Sequence, residues 1–61
     1  MQLKLTINLD NAAFGDEAGT EVARILRELA DDLDGHNCVI GERHVIFDAN
    51  GNRVGEAKVT K

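Results

Sequence analysis

Thr20 to Gly35 reads TEVARILRELADDLDG, and the rest of the chain is best read outward from it. On a wheel of about 100° per residue, Val22, Ile25, Leu26, Leu29 and Leu33 fall within about 100° of arc, the apolar stripe of a helix lying on a sheet. A helix over about 20–34 is therefore expected. Thr20 can cap the first free amides and Glu21 suits the positive end of the dipole. A start nearer Asp16 or Glu17 would place Gly19 inside the helix at about 1 kcal/mol. Gly35 is the expected stop, in the left-handed conformation that a Cβ penalises.

Upstream, Gln2 to Leu9 reads QLKLTINL, with Leu3, Leu5, Ile7 and Leu9 alternating against polar residues. Period two predicts a strand over about 2–9 with one buried and one wet face. Asp10 to Gly19 breaks that alternation with turn-forming residues. Phe14, alone in this polar connection, is expected to plug one end of the core rather than to anchor a partner.

Downstream, Arg43 to Asp48 and Arg53 to Thr60 flank Ala49-Asn50-Gly51-Asn52, whose Asn-Gly pair is a strong hairpin signal. A hairpin over about 43–60 follows. A two-residue loop would set Arg43 opposite Lys58, whereas a three-residue loop with Gly51 left-handed pairs His44 with Glu56 and Glu42 with Lys58. Charge pairing favours the three-residue loop. In that register Val45, Phe47, Ala57 and Val59 face the core, and Ile46 and Val54 emerge on the other side unless a bulge near Gly55 returns Val54. The expected fold is a single α+β domain of order βαββ spanning residues 1–61, one amphipathic helix on a three-stranded sheet. With the last strand in the middle, every neighbour is antiparallel.

Size and charge narrow the function. A chain of 61 residues buries only about 60% of the surface that its unfolded form exposes. Cys38 is the single cysteine, so no internal disulfide adds stability. That, with no signal-peptide pattern and no apolar run of membrane-spanning length, predicts a soluble cytoplasmic protein without membrane association. A net charge of −4 and two aromatic residues, both Phe, disfavour a free-standing nucleic-acid binder. A basic protein surface is the better electrostatic complement.

The segments DNAAF at Asp10 to Phe14, EVARILRELA at Glu21 to Ala30 and DANGNRVGEAKV at Asp48 to Val59 together resemble a group of short uncharacterised proteins encoded in bacteriophage and prophage genomes. The resemblance spans most of the chain. It implies a bacterial cytoplasm and a role accessory to phage propagation or host takeover, and it implies no activity and no site.

Chemical motifs are weak. Asp48-x-Asn50-x-Asn52 opens like a calcium loop, but Arg53 stands where that loop needs Gly and Val59 where it needs Glu, so turn chemistry is expected. His36, Cys38 and His44 offer three soft donors where structural zinc takes four. Gly51-x-x-x-Gly55 precedes no helix and cradles no phosphate. Nothing marks a catalytic residue, metal or cofactor, and a non-enzymatic protein is expected.

Two features break local rules. Asp31, Asp32 and Asp34 end a helix where the dipole favours cations, at about 0.3–1 kcal/mol each, with Arg27 placed to recover part through Asp31. A solvated charge run explains them blandly. With Glu28 they could instead form a contact patch for a basic protein, one such role being inhibition of a host nucleic-acid-binding system. Ile46 and Val54, left exposed by the favoured register, would be a self-association face for a homodimer. A second reading gathers Lys4, Arg43, Arg53 and Lys58 on the sheet of an oligomer that binds nucleic acid.

Overall fold

A computed structural model describes residues 1–11 and 14–61. Ala12 and Ala13, in the expected Asp10 to Gly19 turn region, lie outside the described residues. Strand β1 (Gln2–Ile7), helix α1 (Ala18–Leu33), strand β2 (Arg43–Phe47) and strand β3 (Arg53–Thr60) follow in that order. The sheet runs β1-β3-β2 with both pairings antiparallel, so the last strand is the central one, as the sequence predicts.

The helix begins before Thr20, with Glu17 at the cap and Gly19 inside. No side chain caps it; the Thr20 and Glu21 amides donate to the Glu17 carbonyl instead. At the far end Gly35 has φ +90° and the Asp34 amide still reaches Ala30, so the glycine stop is realised. Phe14 is buried beside Ile25, Ile46 and Val54, closing the core as expected.

The hairpin corrects the expected faces. Its loop has three residues, with the Asp48 amide donating to the Asn52 carbonyl at 2.9 Å and Gly51 at φ +84°. Asp48 Oδ1 accepts from the Asn50 and Asn52 amides at 2.9 and 2.8 Å, the side-chain-to-backbone bonds of a turn. Past the loop the ladder slips: Phe47 pairs with Arg53, but Ile46 pairs with Gly55. His44 therefore faces Ala57 rather than Glu56, and Arg43 meets Lys58. Val54 is the extra residue of a bulge, and its carbonyl accepts from the Asn8 amide of the neighbouring chain segment at 2.7 Å.

Consequently Ile46 and Val54 are buried, at 5% and 8% exposure, while Val45 and Phe47 face solvent at 43% and 52%. Charge pairing does not set the faces, since placing Arg43 opposite Lys58 costs only a few tenths of a kcal/mol. The two registers exchange one buried apolar pair for another, Ile46 and Val54 for Val45 and Phe47, and the bulge is what puts Ile46 and Val54 in the core together. Ala57 and Val59 are core residues, as expected. Gly55 is required by packing, since a Cβ there would run into the Thr6 carbonyl of β1.

The apolar face of β1 is less covered than its alternation suggests. Leu3 and Leu5 share the helix side with Val59 and Ala57, yet both are exposed, and Leu9 lies beyond the strand. The helix packs over β2, away from β1. No described helix is long and apolar enough to cross a membrane.

Candidate functional site

Glu21 draws the helix toward β2. Its carboxylate accepts from Arg24 Nε at 2.6 Å and Nη2 at 3.1 Å, and from the Ala49 amide of the hairpin turn at 2.7 Å. The Arg24 guanidinium, with help from that amide, holds the Glu21 carboxyl below its usual range against the opposing effect of burial. Glu21 in turn raises the Arg24 pKa. Arg24 also reaches Glu28 through Nη1 at 2.8 Å, so Glu21, Arg24 and Glu28 form a line along one helix flank.

Below that flank runs a shallow groove of about 110 Å³. Glu28 and Asp32 line its helix side, Ile25, Leu29 and Ile46 its floor, and the β2 edge at Val45 and Phe47 its strand side, while alternation about the buried Ile46 turns the Val45 and Phe47 side chains to the outer sheet face. An exposed acidic helix flank thus runs beside the free edge of strand β2. The arrangement suits an extended segment that presents a cation.

The four acidic residues singled out in the sequence are all exposed or half-exposed, but they do not share one surface. Glu28 and Asp32 line the groove. Asp31 and the cap residue Asp34 lie about 60–160° further round the helix axis, toward solvent. Among the described residues Arg27 makes no ion pair with Asp31, and the last turn holds no basic residue. The Arg24 bond to Glu28 is solvent-exposed and weak, so an incoming cation can displace it.

The expected self-association face at Ile46 and Val54 is overturned, because both residues are in the core. Their neighbours Val45 and Phe47 take the exposed positions instead.

The outer sheet face carries the opposite charge. Lys4 pairs with Lys58 and Lys58 with Arg43, which sets three cations side by side across the strands. Glu56 stands between Arg43 at 3.4 Å and Arg53 at 3.6 Å. Its Oε2 is shut off from solvent without hydrogen-bond geometry, so charge alone holds it there. Lys4 and Lys58 are the cations of this face that Glu56 leaves unpaired.

His36 and His44 meet edge to face with ring centres 5.6 Å apart, and His44 Nε2 lies 2.8 Å from Glu42 Oε2. Cys38 is half-buried with φ +50°. Among the described residues no group of His, Cys, Asp or Glu is arranged to hold a metal. Comparison with known protein families, with curated proteins and with solved structures finds no match.

Sequence reasoning missed Glu21 as the residue that positions the helix, and Val45 and Phe47 as exposed residues of the outer sheet face. The spacing Glu21-x-x-Arg24-x-x-x-Glu28 was a legible signal for the flank, since residues three and four apart are neighbours on a helix. The bulge that turns Val45 and Phe47 outward had only Gly55 to announce it.

Proposed function

We propose that this chain is a non-enzymatic protein-interaction module, accessory to a phage or prophage, that takes a basic segment of a protein partner in the groove between α1 and β2. The reading rests on the placement of Glu28 and Asp32 beside the free edge of β2. An edge strand offers backbone hydrogen bonds to an extended segment, while the two carboxylates select a cation and steer its approach. A host nucleic-acid-binding protein is a partner of that chemistry, because its phosphate-binding surface is basic.

The test is capture of bacterial host proteins on tagged protein in parallel with two charge variants. Wild type and Asp31→Asn/Asp34→Asn should retain the same basic protein, and Glu28→Gln/Asp32→Asn should lose it. Equal capture by all three would contradict the groove assignment.

The row Lys4, Lys58 and Arg43 favours a second reading, nucleic-acid binding on the outer sheet face. With Glu56 offsetting Arg43 and Arg53, such binding would rest chiefly on two lysines and would weaken steeply with salt. A mobility shift with single-stranded DNA at low salt that Lys4→Gln/Lys58→Gln abolishes would support it; no shift would dismiss it.

A further inference from the structure

Strand β1 is an edge strand with two kinds of surface uncovered. Leu3 and Leu5 are 48% and 41% exposed on the helix side, and Leu26 is 41% exposed on the helix flank opposite Glu28 and Asp32. The chain as a whole exposes 4279 Å², whereas a folded monomer of 6.6 kDa is expected to expose about 3,900 Å². Its radius of gyration is 12.0 Å against about 10.5 Å for a compact domain of this length. Val39, Ile40, Val45 and Phe47 are exposed as well, but Leu3 and Leu5 lie on the helix side of a free strand edge, where an added strand would extend the core face.

We propose that this surface is covered by a second copy of the chain, with β1 pairing antiparallel to its own counterpart about a two-fold axis at Leu5 to make a six-stranded sheet. The hydrogen-bond phase of β1 permits it. The Asn8 amide donates to the Val54 carbonyl of the central strand, so even-numbered residues of β1 bond inward and the backbone groups of Leu3, Leu5 and Ile7 point to the free edge. An axis at Leu5 pairs Leu5 with Leu5 and Leu3 with Ile7 of the second copy, giving about six backbone hydrogen bonds and one continuous leucine stripe.

Charge chooses among the registers. An axis at Lys4 would press two lysines together in the close, unbonded type of pair. At Leu5, each Lys4 faces Thr6 of the second copy. Registers offset by one residue would turn the leucines of one copy to the other's wet face. On the other edge, β2, the helix-side Ile46 is already buried and the exposed Val45 and Phe47 lie on the outer face, so a strand added there would not extend the core face. One pair of short edge strands makes a small interface, so the dimer should dissociate on dilution.

Sedimentation equilibrium over a concentration series tests this, with circular dichroism confirming that each variant is folded. Wild type should reach twice the chain mass at high micromolar concentration. Leu5→Lys, which sets like charges at the axis, should remain at one chain mass, and Val45→Lys on the opposite edge should still double. In a Cys38→Ser background, Leu5→Cys should cross-link to a covalent dimer under mild oxidation and Lys4→Cys should not. A wild-type mass of one chain, a doubling lost in Val45→Lys but kept in Leu5→Lys, or cross-linking at position 4 in preference to 5 would overturn the proposal.

Discussion

Single residues set the geometry on which the functional reading stands. Glu21 is the tie between helix and hairpin, and its carboxyl is held below the ordinary value of 4.5 chiefly by Arg24. A depressed carboxyl contributes stability above the unfolded pKa and loses it as pH falls through the folded one. The wild-type protein should therefore lose stability as pH drops below about 4.5, and Glu21→Gln should be less stable at neutral pH with a flatter acid limb. Urea midpoints measured across that range check it, and equal slopes for the two proteins would count against the tie. Gly55 makes a second residue-scale case. Its Cβ would strike the Thr6 carbonyl, so Gly55→Ala should cost about 1–3 kcal/mol in chemical denaturation.

At the scale of elements, the helix and the strand order were legible because their signals are periodic and repeat over many residues. Of the expected stripe Ile25 and Leu29 are buried, Val22 and Leu33 half-buried and Leu26 exposed, and Gly35 kept its stop. The hairpin register was not legible in the same way, because either register buries one apolar pair, Ile46 with Val54 or Val45 with Phe47, and cross-strand charges, worth tenths of a kcal/mol, favour the register that the bulge at Val54 replaces. Of the candidate acidic patch, residue types could identify the carboxylates but not their division between groove and solvent. That division gives a separable prediction for the helix end. Asp31→Lys should stabilise the protein by about 0.3–1 kcal/mol through the dipole, seen as a raised urea midpoint, and leave partner capture intact. Asp32→Lys should stabilise similarly and abolish capture.

For the molecule as a whole, one placement decides what is open and what is closed. The helix lies toward β2, which sets Glu28 and Asp32 beside the β2 edge on one side and leaves Leu3 and Leu5 uncovered on the other. Both surfaces depend on Ile46 and Val54 turning inward to meet Phe14 and Ile25. Nuclear Overhauser contacts in labelled protein measure that directly. The Ile46 and Val54 methyls should show contacts to the Phe14 ring and to Ile25, with the Val45 methyls free of them. Contacts from Val45 and Phe47 to the Phe14 ring, with Ile46 and Val54 showing none, would contradict this packing and both surfaces built on it.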